Sequence, residues 1–121
     1  MKKLIFSLLL FVPVFASAEH IDVIKFQLAD GCAFSEYLEI RNDFNEWAEP
    51  YGYSSSIAVP LQNDDLESYY WIGTSANAAA FGKIWDTWRD ALSDPDSTES
   101  KLWVRFQACS INLERRGYDL Y

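Results

Sequence analysis

The chain has 121 residues, 10 basic against 18 acidic, for a formal charge of −8, and half of it is hydrophobic. That is the size of a single domain, and so acidic a surface repels nucleic acid and anionic lipid and argues against either as a partner. One histidine and two cysteines are too few for an ordinary zinc or copper centre, so neither a metal nor a cofactor is expected.

The chain opens with the pattern of an export signal. Lys2 and Lys3 form a short positive region, and Leu4 to Val12 is an apolar run interrupted by Ser7. Pro13 breaks it, and Ala16-Ser17-Ala18 offers the small residues a signal peptidase accepts. Residues 1–18 are therefore expected to be a cleaved signal peptide and 19–121 a single domain. The apolar run is shorter than the roughly 20 residues of a spanning helix, no cysteine follows the cleavage point for lipid attachment, and no later segment is apolar enough to anchor in a bilayer. The expectation is a soluble protein of the periplasm, or a secreted one. Without the leader the balance is 8 basic against 18 acidic residues, and 17 aromatic residues remain, including all five tryptophans.

The first predicted strand is 21–28, in which Ile24, Phe26 and Leu28 alternate with Val23, Lys25 and Gln27. Asp30-Gly31 ends it with turn chemistry. A helix follows over 33–49, where Phe34, Tyr37, Leu38, Ile40, Phe44, Trp47 and Ala48 recur at steps of three and four; Pro50 and Gly52 stop it. A second strand is predicted at 56–61, with Pro60 confining it to a sheet edge, and a third at 69–74. Ser75 or Asn77 can cap a second helix over 77–92, whose stripe is Phe81, Ile84, Trp85, Trp88 and Leu92. After a loop at 94–97, residues 101–109 read as the fourth strand, and 115–121 fits no single pattern.

The order β-α-β-β-α-β implies an α+β domain of ferredoxin-like type, one antiparallel sheet with two helices on one face. Alternation assigns Ile24, Phe26, Leu28, Ile57, Val59, Leu61, Tyr70, Ile72, Leu102, Val104 and Phe106 to the helix-covered side. The other side then carries Val23, Lys25, Gln27, Ala58, Pro60, Tyr69, Trp71, Trp103, Arg105 and Gln107. A solvent-facing sheet surface is ordinarily polar. Two tryptophans and a tyrosine among long polar side chains instead suggest an interaction or ligand face made of Lys25, Gln27, Tyr69, Trp71, Trp103, Arg105 and Gln107. A one-residue slip in any strand would turn its aromatic residues inward.

This element order, with an aromatic open face, resembles the dimeric α/β-barrel superfamily, in which two ferredoxin-like protomers pack sheet to sheet around a cavity. The pieces Asp30-Gly31-Cys32, Phe44-Asn45-Glu46-Trp47-Ala48, Tyr70-Trp71-Ile72-Gly73 and Phe106-Gln107-Ala108-Cys109 also resemble a group of small exported bacterial proteins. The first resemblance implies a homodimer and a cavity for a small molecule; neither transfers a catalytic residue. The superfamily's haem branches use a proximal histidine, and the one histidine here, His20, stands before the first predicted strand, outside any expected site.

After export, Cys32 and Cys109 are expected to oxidise. A bond within the chain is favoured, with a bond between chains as the alternative. Pairing strand 21–28 with 101–109 would carry Cys109 away from Cys32, so an internal bond requires the last strand to pair later, near 108–113. Other chemistry is absent from the pattern: Ser54-Ser55-Ser56 lacks a nucleophile-elbow context and a histidine base, and Asp94 to Arg105 lacks the glycine and the terminal glutamate of a calcium loop. The expected function is thus an exported homodimer binding a small apolar or aromatic ligand, leaning away from catalysis. The alternatives are a cofactor-independent enzyme of monooxygenase or isomerase type, with Lys25, Arg105 and Gln107 as polar handles, and a purely structural module.

Overall fold

A computed structural model describes residues 18–121; the expected signal peptide lies, but for Ala18, outside the described residues. The elements are β1 (Glu19–Leu28), α1 (Phe34–Ala48), β2 (Ser54–Ala58), β3 (Tyr69–Ser75), α2 (Ala78–Ala91), α3 (Thr98–Cys109) and β4 (Ser110–Leu120), with one 3-10 turn at Glu49–Tyr51 after α1. The strands form one antiparallel sheet in the order β2-β3-β1-β4. That is the ferredoxin-like arrangement expected from the sequence, with a third helix inserted before the last strand.

Local chemistry explains most boundaries. Gly31 and Gly52 adopt left-handed φ of 84° and 70° at the exits of β1 and the 3-10 turn, where a side chain would be strained. Glu36 caps α1 by accepting from the Ala33 N–H at 3.1 Å, and Asn77 caps α2 by accepting from Ala80 N–H at 2.8 Å. β2 is an edge strand, as Pro60 suggested, although it ends before that proline.

The fourth strand is the main correction. Residues 101–109 are helical: Ser97 accepts from the Ser100 N–H as an N-cap, and α3 runs from Thr98 to Cys109. Leu102, Val104 and Phe106 satisfy a strand's alternation, but Leu102, Trp103, Phe106 and Cys109 also satisfy a helix's spacing, and packing selects the second. Leu102 and Cys109 are buried, whereas Val104 is exposed. The true strand is 110–120, which pairs Ser110 with Leu28 and Gly117 with Asp22.

That later pairing removes the cysteine conflict. Cys109 ends α3 where β4 begins, and its carbonyl accepts from the Ala29 N–H at 2.9 Å. Cys32 and Cys109 form a disulfide within the chain, with Cα atoms 5.1 Å apart.

The third strand is shifted in face by one residue from the expectation. Ile24 pairs with Trp71 and Phe26 with Tyr69, so both aromatic side chains share the helix-covered side with Phe26. Tyr70 and Ile72 take the open side instead. The run Tyr69-Tyr70-Trp71-Ile72 is apolar at every position, so alternation alone could not orient it. The core accordingly centres on Phe26, with no exposure, and on Tyr37, Ile40, Trp71, Ile84, Trp88 and Leu102. Burying Phe26 alone contributes about 1.5–3 kcal/mol.

Candidate functional site

On the helix-covered side, the aromatic residues do not close completely over the sheet. They leave a cavity of about 360 Å³ between β1, β3 and β4 on one side and the three helices on the other. This lies within the range of roughly 300–1,000 Å³ typical of small-molecule sites. All five tryptophans of the chain, Trp47, Trp71, Trp85, Trp88 and Trp103, line it, together with Phe44, Phe81 and Phe106. Phe44 is the hub: its ring meets Trp47, Trp71 and Trp88 at centroid distances of 5.3, 5.2 and 5.1 Å in tilted or edge-on contacts. The walls are therefore held in place by each other.

The polar groups of the cavity come mainly from the sheet. Asp22 is the inward residue of β1 that precedes Ile24 and Phe26, and its side chain is buried. The Tyr53 hydroxyl donates to Asp22 Oδ1 at 3.0 Å and accepts from the Trp71 indole N–H at 2.7 Å. Gly73 makes this possible: a Cβ there would overlap both the Tyr53 hydroxyl and Asp22 Oδ1. Burial pushes the Asp22 carboxyl pKa up, against the Tyr53 hydrogen bond and the nearby Arg115 charge, which favour ionisation. Burial likewise pushes the Tyr37 and Tyr53 phenols far above their ordinary range, so both remain protonated.

Arg115 owes its place to a β-bulge. The β1–β4 register shifts between Lys25 and Phe26, so that Phe26 pairs with Asn112 and Ile24 with Arg115, and Leu113 is the extra residue. Without the bulge, Asn112 and Arg115 would stand on opposite faces; with it, both line the cavity. The Arg115 guanidinium lies over the Trp85 ring, 4.4 Å from its centroid. Gln107 on α3 completes the polar set.

The residues expected to share one face are dispersed. Trp71, Trp103 and Gln107 reach the cavity, from β3 and α3. Tyr69 packs beside it, stacked on Phe26 and Phe34. Arg105 is on the outer side of α3, where it pairs with Asp43. Lys25 and Gln27 do lie on the open face, but they fasten the β2–β3 connection: Lys25 pairs with Asp65 at 3.0 Å, and Gln27 donates to Ser68 Oγ at 3.2 Å. Ser68 also donates to Asp65, and these bonds hold the Asp65 carboxyl down at a pKa of about 2. Lys25 and Arg105 are thus not cavity groups, because each faces away from the aromatic side.

His20 also departs from expectation. It lies within β1 on the helix-covered side, packed on Phe81 at 4.9 Å between centroids and bonded to Asp119 at 2.9 Å. Among the described residues, the one cluster of metal-ligating type is Cys32, Glu36 and Cys109, whose sulfurs are joined to each other.

The sequence reading missed Asp22, Tyr53, Asn112 and Arg115. Asp22 had a signal, since it shares the parity of Ile24, Phe26 and Leu28 and so places a carboxylate on the core face. Arg115 had none, because its orientation depends on a bulge that alternation does not mark.

Comparison with known proteins gives structural matches only; no protein-family model and no curated protein matches the chain. A conserved protein of unknown function from Bacteroides thetaiotaomicron, described as a possible oxidoreductase, aligns with a TM-score of 0.54 at 6% identity, covering 87% of this chain and all of that one. SnoaB, a cofactor-independent oxygenase from Streptomyces nogalater, aligns with a TM-score of 0.49 at 20% identity, over 84% of this chain and 92% of its own. A dimeric protein of unknown function with a ferredoxin-like fold, from Bacteroides fragilis, gives 0.43 at 13% identity, over 84% and 93%. At such identities the likeness is one of fold alone, and the observed topology, one antiparallel sheet in the order β2-β3-β1-β4 with helices on one face, is that of a ferredoxin-like α+β protein.

Proposed function

We propose that this is an exported, homodimeric binding protein that holds a small planar aromatic molecule in each protomer, between the sheet and its helices. The observation that carries the reading is the cavity of about 360 Å³ lined by every tryptophan of the chain. A volume of about 150 Å³ accommodates a benzene ring, so this space suits two or three fused rings. The ligand site is therefore on the helix side of the sheet, and the open face is left for assembly.

Several features support the remaining parts. The disulfide fits an oxidising compartment, and the sequence before Glu19 has the pattern of a signal peptide for the periplasm or secretion. Among the described residues no helix is long and apolar enough to cross a membrane. The open face presents Val23, Tyr70 and Ile72, half-buried, beside Tyr118 and Leu120, which are 45% and 46% exposed. An apolar strip on a solvated sheet face suits packing against the same face of a second copy.

Native mass spectrometry of the purified chain tests the reading: a dimer carrying up to one small molecule per protomer is expected. A monomer that takes up no aromatic compound at millimolar concentration would contradict it. Asp22 supports a second reading, a cofactor-independent enzyme that begins by taking a proton from its ligand. A buried carboxylate with raised pKa in an apolar site is suited to that role. In that case Asp22→Asn abolishes turnover of a bound ligand, whereas a pure binding protein shows no turnover to lose.

A further inference from the structure

The walls and polar groups of the cavity are not neutral about charge. Asp22 is only 5% exposed, yet it lines the cavity. Among the described residues, its one side-chain hydrogen-bond partner is the uncharged Tyr53, and no cation forms an ion pair with it. Arg115 is near enough to favour the ionised carboxylate, but its guanidinium is committed to the face of Trp85 rather than to Asp22. A buried anion without a contacting cation is costly, and a ligand that supplies both a positive charge and N–H donors relieves that cost.

The aromatic walls favour the same sign. Indole faces carry negative potential and attract ammonium and guanidinium groups. Arg115 on Trp85 shows one such contact already made within this cavity. The chain's net charge of −8 adds a field that concentrates cations and repels anions.

We propose that the cavity selects an organic cation: an arylalkylamine whose ammonium group hydrogen-bonds to the Asp22 carboxylate while its ring lies among the tryptophans. This inference rests on the reading of the cavity as a ligand site and adds the class of ligand. Tyr53 and Gly73 act as positioning residues, the first orienting Asp22 by its hydrogen bond and the second leaving room for that bond.

Isothermal titration calorimetry with three isosteric probes separates the two levels. Naphthylmethylamine, naphthylmethanol and naphthoate present one ring system with a cation, a neutral hydroxyl and an anion; the benzyl series repeats the comparison at smaller size. The amine is expected to bind at least about tenfold more tightly than the alcohol, a typical gain for a charge-assisted hydrogen bond out of water, and the acid more weakly than either. Asp22→Asn, whose fold is checked by circular dichroism, should bring the amine-to-alcohol preference down to about onefold. Equal affinities, or tighter binding of the alcohol or the acid, overturn the cation assignment and leave the cavity as a binding site. If neither series binds in any charge form, the cavity reading falls with it.

Discussion

Replacing Gly73 by alanine tests the polar centre of the site at its tightest point. The added methyl would overlap the Tyr53 hydroxyl and Asp22 Oδ1, both on buried side chains packed against the sheet. Overpacking a filled interior costs about 1–3 kcal/mol. If Tyr53 swings away instead, it gives up its bonds to Asp22 and from Trp71, each worth about 0.5–1.5 kcal/mol net. By either route the expected loss is about 1–3 kcal/mol, a large part of a small domain's stability. For a chain of this size it lowers Tm by about 5–15 °C. Urea titration and thermal melts followed by circular dichroism measure it. Tyr53→Leu in the same chain makes room for the methyl, so the double variant should lose less than the two single losses added. A Gly73→Ala protein melting within about 3 °C of the parent would refute the packing argument.

Three further outcomes follow from the same geometry. Burial raises the Asp22 pKa above its ordinary 3.8, so its contribution to stability is complete below the unfolded pKa and is lost as pH rises through the folded one. Asp22→Asn should consequently raise Tm at pH 7, with a gain that shrinks toward about pH 4; an unchanged or lower Tm at pH 7 would contradict this. The disulfide spans 77 residues, and in the chain-entropy model closing that loop stabilises by about 4–5 kcal/mol, so Cys32→Ser with Cys109→Ser should lower the urea midpoint markedly under oxidising conditions. Ile72→Asp places a charge on the open face beside Val23 and should convert a dimer to a monomer in analytical ultracentrifugation with little change in Tm; an unchanged sedimentation coefficient would remove the open face from the assembly.

How much of this was legible in the sequence depends on how singular each pattern is. β1, α1 and α2 were readable because their apolar residues fit one period and their ends carry Gly31, Pro50 and the Asn77 cap. The segment 101–109 was not, since Leu102, Val104 and Phe106 mimic a strand while Leu102, Phe106 and Cys109 serve a helix. The Ser97 cap was the available signal that favoured the helix. On β3 an apolar residue stands at four consecutive positions, and the inward parity is revealed by Gly73, whose missing side chain leaves space for Tyr53.

The candidate site suffered most from these two ambiguities. Turning Trp71 inward and Trp103 onto a helix moves the aromatic surface from the open face to a cavity on the other side of the sheet. The composition did show the five tryptophans that line the cavity, without showing where they would gather. For Trp71 the side was a matter of one residue of register, and for Trp103 it was a matter of helix against strand.

The most direct test of the cavity as the ligand site is a 15N-labelled NMR titration with naphthylmethylamine. It reports on the five indole N–H groups and the backbone amides of the open face in one experiment. The indole resonances of Trp71, Trp85, Trp88 and Trp103 are expected to shift together and saturate at one probe per chain, while the amides of Lys25, Tyr70 and Ile72 stay in place. Shifts confined to those open-face amides, with the indoles unmoved, would contradict the cavity as the ligand site.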